Sequence, residues 1–126
     1  AGITGVIMNS QTVDIFNPKT IRATMGSIFR VPFVYVPELS PVLTQMHEKG
    51  IHTYAAHLKG KEYYDSFSFR EPTAFLIGNE GNGLTKEISD QSGQYLKIPM
   101  EGKVESLNAS IAAALLMYEA HRQRKL

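Results

Sequence analysis

Two kinds of apolar run alternate along the chain. Ile3 to Met8 is short and rich in β-branched residues, bounded by Gly2 and Asn9-Ser10, and predicts a buried strand. After Asn17-Pro18, a cap and a first-turn proline, Ile21, Met25, Ile28 and Phe29 recur at helical spacing. They predict a helix that ends by Arg30, ahead of Pro32. Phe33 to Val36 predicts a second buried strand, closed by Pro37. Ser40-Pro41 opens a second helix with Val42, Leu43 and Met46 on one face and Gly50 as its stop. Ile51 to Ala56 and Thr73 to Ile77 predict the third and fourth strands, separated by a polar and aromatic loop from Lys59 to Phe69 with room for a short edge strand. Leu84 to Ser89 predicts a short helix, and Tyr95 to Ile98 a fifth strand stopped by Pro99. The clearest helix is the last, from about Leu107 to Arg122. Strong helix formers fill it, Ser106 or Glu105 stands at its cap, and Arg122, Arg124 and Lys125 suit its C-terminal dipole.

Strands apolar on both faces, alternating with helices, describe an α/β fold: a mostly parallel sheet flanked by helices. Ligands of such folds bind beyond the carboxyl ends of the strands. With 126 residues, 43% of them hydrophobic, the chain reads as one domain with a core that needs no staple. Thirteen basic and twelve acidic side chains leave a net charge of +1, so a nucleic acid would have to be met by a local basic patch. Having no cysteine removes disulfides, thiolate-bound metals and thiol nucleophiles. No run approaches the roughly 18 apolar residues of a membrane span. The opening Ala-Gly-Ile-Thr carries no initiator Met and reads as the start of a fragment.

Two segments could carry chemistry. Gly78-Asn79-Glu80-Gly81-Asn82-Gly83 follows a strand, and its three glycines permit close backbone approach to a ligand. The spacing is neither a dinucleotide fingerprint nor a phosphate-binding loop, and Glu80 argues against a phosphate at that spot. An ordinary strand-to-helix turn explains the segment equally well. Ile98-Pro99-Met100-Glu101-Gly102 leads into Ser106-Leu107-Asn108-Ala109-Ser110, which places Ser106 and Asn108 at a helix N-terminus. Taken alone, simple capping is the better account. His47, His52, His57 and His121 show no metal-ligand spacing, so no metal is expected. The aromatic residues Tyr54, Tyr63, Tyr64, Phe67 and Phe69 suit a covered core edge better than stacking on bases. Residues His121 to Lys125 read as a solvated helix end, and Arg22 and Arg30 as surface cations with RNA phosphate contact the lesser reading.

Read together and in order, three runs resemble the SPOUT class of RNA methyltransferases, in particular the SpoU/TrmH-type family that methylates ribose 2′-hydroxyls. They are Asn17-Pro18-Lys19-Thr20-Ile21-Arg22-Ala23-Thr24-Met25-Gly26, Phe75-Leu76-Ile77-Gly78-Asn79-Glu80-Gly81-Asn82-Gly83-Leu84, and Ile98 through Ser110. The second and third are similar to the family's motifs 2 and 3. The resemblance spans essentially the whole chain. It implies a SPOUT fold whose C-terminal segment forms a trefoil knot, a rare exception to unthreaded chains. It implies S-adenosylmethionine as cofactor, held by Ala56, Gly78, Ile98, Met100 and Leu107. Catalytic roles fall on Glu80, Ser106 and Asn108, which orient the substrate ribose and a catalytic arginine. Arg22 and Arg30 become RNA-binding candidates. RNA, either rRNA or tRNA, is the implied partner, with a homodimer formed through the last helix and a cytoplasmic setting.

One departure matters. The family's motif 1, roughly Asn-x-Gly-x-x-x-Arg, has no match, because Arg22 stands at the wrong spacing from Asn17 and the glycine is absent. The resemblance therefore implies a partial domain, beginning after motif 1 and lacking a first strand and helix. These 126 residues alone are expected to be the cofactor-binding part and catalytically incompetent. The alternatives are a non-catalytic SPOUT-like dimer that binds RNA or cofactor, and a flavodoxin-like nucleotide-binding domain.

Overall fold

The computed structural model describes residues 1–79, 83–103 and 106–125. It divides into two compact units, Gly2–Leu39 and Ser40–Leu126, the second including Ala1. The α/β class with parallel sheets flanked by helices is as expected. The strands form two sheets, one in each unit, where a single sheet was expected.

In the first unit, β1 (Val6–Met8) and β2 (Phe33–Tyr35) pair in parallel, with Val6 opposite Phe33 and Met8 opposite Tyr35. Both strands were expected to be buried. Met8 is, but Val6, Ile7, Val34 and Tyr35 are exposed. Two three-residue strands offer too little surface to carry a covering layer on each face. The Tyr35 hydroxyl instead ties down the preceding loop, donating to the Val13 carbonyl at 3.0 Å and accepting from Ile15 N–H at 2.7 Å. Helix α1 (Pro18–Ala23) starts where predicted: Asn17 Oδ1 accepts from Lys19 N–H at 2.9 Å and Pro18 occupies the first turn. It does not continue to Arg30. Met25 and Gly26 take left-handed backbone, φ +51° and +86°, and a 3₁₀ turn (Ser27–Phe29) follows. Met25, directly after the Thr24 cap, takes the left-handed backbone that ends the helix, and Gly26 continues it without a Cβ penalty. Met25 and Phe29 are consequently 87% and 88% exposed instead of forming a buried face.

In the second unit, β3 (His52–Ala56) is central, flanked in parallel by β4 (Thr73–Leu76) and β5 (Gln94–Leu96). Ala55 lies opposite Leu76 on one side and Tyr95 on the other. The strands bury both faces with period two. Tyr54, Phe75 and Leu96 join Phe69, Leu116 and Ala120 in one cluster, against α4 (Ala109–Lys125). Ala55, Leu76 and Tyr95 join the other, with Leu43 and Met46 of α2 (Ser40–Glu48) and Ile88 of α3 (Lys86–Gln91). The aromatic loop after β3 behaves as a core edge. Phe69 is fully buried, with Tyr54 and Phe75 edge-on to it, both at 5.0 Å between ring centroids. In place of an edge strand it holds a 3₁₀ turn (Tyr64–Ser66) and a single bridge from Tyr63 to Lys97.

Helix ends follow local chemistry. Gly50, at φ +76°, stops α2, while Ile51 N–H reaches Met46 C=O at 2.9 Å and Gly50 N–H reaches His47 C=O at 3.1 Å. Thr85 caps α3. Helix α4 begins two residues later than predicted, and its cap is Asn108 rather than Ser106 or Glu105. The Asn108 side-chain oxygen accepts from Ser110 N–H at 2.9 Å, and its carbonyl takes the first helical bond from Ala112. The far end is not simply solvated. Gln123 is buried, accepting from Phe69 N–H at 2.6 Å and donating to Phe67 C=O at 2.9 Å, and Arg124 Nε donates to Phe69 C=O at 2.9 Å. These bonds pair the backbone of the aromatic loop, which no strand satisfies.

Candidate functional site

The carboxyl ends of β3, β4 and β5 open onto one cavity of about 630 Å³, within the size range of small-molecule sites. Its position follows from the strand order: the chain crosses from β4 over β3 to β5, and all three parallel strands end at the same edge. Ala56 ends β3, Ile77 and Gly78 directly follow β4, and Lys97 and Ile98 directly follow β5. Met100 follows, and Ser106, Leu107 and Asn108 close the cavity at the start of α4.

Gly78 is held where no side chain fits. A Cβ there would lie 2.4 Å from Leu84 N and 2.5 Å from the Gly83 carbonyl carbon. Gly83, at φ +66°, donates its N–H to Asn79 C=O at 2.7 Å. Leu84 and Ile77 give this wall an apolar surface, and Asn79, Ser106 and Asn108 bring polar groups to it. Among the described lining residues, Lys97 carries the formal charge.

The residues singled out as cofactor-binding (Ala56, Gly78, Ile98, Met100 and Leu107) thus meet around one space, and Ser106 and Asn108 share it. Glu80 lies outside the described residues. Arg22 and Arg30 are exposed in the Gly2–Leu39 unit and are not among the cavity's lining residues. Sequence reasoning passed over His57, Leu58 and Lys97 as cavity residues. His57 and Lys97 directly follow residues at strand ends, and that adjacency was the available signal. Among the described residues, no group of three or more His, Asp or Glu side chains is placed to hold a metal, and no helix is long and apolar enough to cross a membrane.

The model of the SpoU rRNA Methylase family matches residues 1–118. The chain belongs to this family. A Staphylococcus haemolyticus protein named as a TrmH-family tRNA/rRNA methyltransferase is 35% identical over 124 residues, which are 98% of this chain and 50% of that protein. Among solved structures, the SpoU methyltransferase AviRb from Streptomyces viridochromogenes, in complex with AdoMet, superposes with a TM-score of 0.90 at 34% identity. The match covers 98% of this chain and 51% of AviRb. A structure described as an RNA 2′-O ribose methyltransferase gives a TM-score of 0.87 at 33% identity, covering 99% of this chain and 48% of its own. This SpoU-family chain therefore spans about half the length of the relatives it matches.

Proposed function

We propose that this chain is the S-adenosylmethionine-binding part of an RNA methyltransferase that acts on a ribose 2′-hydroxyl of rRNA or tRNA. The observation that carries this reading is the meeting of Ala56, Gly78, Ile98, Met100 and Leu107 around a single cavity at the strand ends. Those residues come from three separate stretches of sequence. The AdoMet complex of AviRb supports the cofactor, and the RNA 2′-O ribose methyltransferase structure supports the ribose position.

The residues present suit such a ligand. Gly78 has no room for a Cβ, so a ligand meets backbone there, as a nucleoside's hydrogen-bonding edge requires. Ile77, Leu84, Ile98 and Leu107 offer apolar walls to a flat ring, and Lys97 offers a cation to a carboxylate or phosphate. When bound, the cofactor supplies a sulfonium methyl group that an RNA hydroxyl oxygen displaces in line. The protein's work is then positioning. Ser106 and Asn108, at the start of α4, would hold the ribose and its phosphate through their side chains. Glu80 would orient the substrate, Arg22 and Arg30 would meet RNA phosphates, and the residues as a whole form one partial SPOUT domain. An exposed stripe on α4, Ile111, Leu115 and Tyr118 at 53%, 39% and 59% exposure, supports a homodimer through the last helix.

Total rRNA and tRNA incubated with the full-length protein and methyl-labelled S-adenosylmethionine tests the reaction. Digestion to nucleosides should place the label in 2′-O-methyl nucleosides. Label found only on bases would refute the ribose assignment.

A further inference from the structure

We infer that His57 is a positioning residue of the cavity, acting through the turn it begins; this rests on the proposed binding of S-adenosylmethionine there. The turn from His57 to Gly60 follows β3, and its first two residues line the cavity, Leu58 while 56% exposed. An exposed leucine in a short loop needs something to hold it against the cavity. Backbone bonds fix the base of the turn: His57 N–H donates to Leu96 C=O at 3.0 Å, and Gly60 N–H donates to His57 C=O at 3.0 Å. Gly60 is pressed onto β5 so closely that a Cβ would lie 2.9 Å from the Leu96 carbonyl carbon.

The His57 side chain fixes the tip. Its Nδ1 accepts from Lys59 N–H at 3.0 Å, the contact that an Asn or Asp makes two residues on in an Asx turn. With Nδ1 accepting, the neutral ring carries its proton on Nε2. The imidazole stacks on Tyr95, with centroids 4.9 Å apart and planes 14° from parallel. Tyr95 is itself anchored, its hydroxyl donating to Asp90 Oδ1 of α3 at 2.6 Å. A chain of contacts therefore runs from α3 through β5 to the cavity wall. None of these side chains belongs to the residues the family resemblance assigned to the cofactor.

The test compares S-adenosylmethionine dissociation constants of wild type, His57→Ala, His57→Asn and Tyr95→Phe, with the melting temperature of each. His57→Ala loses both the acceptor and the stacking, and its affinity should fall about tenfold, the worth of one such bond and the order it imposes. His57→Asn restores an acceptor for Lys59 N–H and should return affinity to within about threefold of wild type. Tyr95→Phe keeps the stack, loses the anchor and should fall between them. Should His57→Ala not fold, His57→Gln replaces it, its acceptor lying one bond too far out to close the turn. Unchanged affinity in His57→Ala overturns the inference. So does an Asn variant as weak as the Ala variant, since the acceptor for Lys59 N–H would then not be what holds the cavity wall in place. Wild type that binds no cofactor refutes instead the reading of the cavity on which the inference rests.

Discussion

At Gly78 a single hydrogen atom in place of a side chain lets the Gly83–Leu84 backbone approach closely. Gly78→Ala would drive its methyl into the Gly83–Leu84 backbone. The variant should lose S-adenosylmethionine affinity by tenfold or more, read by equilibrium dialysis, because that wall must shift. The glycine spacing marked this segment without separating it from an ordinary turn. What separates the two is a long-range fact, that the ends of β3 and β5 and the start of α4 face the same space. Gln123 shows the opposite limit. Amid Arg122, Arg124 and Lys125 it read as solvated, yet it pairs Phe69 N–H and Phe67 C=O. Gln123→Ala should cost about 2 kcal/mol in urea unfolding, since two backbone groups lose their partner.

Helix α4 was legible in kind and not in its starting residue. Glu105, Ser106 and Asn108 stand within four residues, and composition cannot choose among them. The choice falls on Asn108, whose side-chain oxygen reaches the N–H of Ser110. Asn108→Ala should lower stability by about 1 kcal/mol, and Asn108→Asp should retain it, both read by thermal unfolding. In the first unit the helical spacing of Met25, Ile28 and Phe29 misled, because the left-handed backbone at Met25 and Gly26 breaks the helix before that face forms. A second property of α4 is its pH response. Arg122 grips the Glu119 carboxylate through Nε at 2.9 Å and Nη2 at 2.8 Å. That pair, aided by Gln123, holds the Glu119 carboxyl down from 4.5 to about 2. A carboxyl lowered in the folded state contributes stability that is complete above its ordinary value and is lost as pH falls toward the lowered one. The melting temperature of wild type should therefore exceed that of Glu119→Gln at about pH 6, with the gap closing between 4.5 and about 2.

For the molecule as a whole, alternation of apolar runs with helical stretches foretold the parallel α/β class, and the strand ends are where the cavity lies. The pattern could not foretell that β1 and β2 form their own two-stranded sheet, because strand pairing depends on distant partners. Nor could it show the exposed stripe on α4, since Ile111, Leu115 and Tyr118 look like any packing face until the helix is placed. With that stripe joining two copies as proposed, wild type should sediment as a dimer at equilibrium and Leu115→Glu should shift it toward monomer. The central claim is that the cavity at the strand ends binds the methyl donor. Its most direct measurement is a calorimetric titration of S-adenosylmethionine into the protein beside Gly78→Trp, whose indole would fill the wall. Wild type should bind saturably at one site per chain, and the variant should show no binding. A folded wild type that takes up no cofactor, or a Gly78→Trp variant that binds as well as wild type, would contradict that claim.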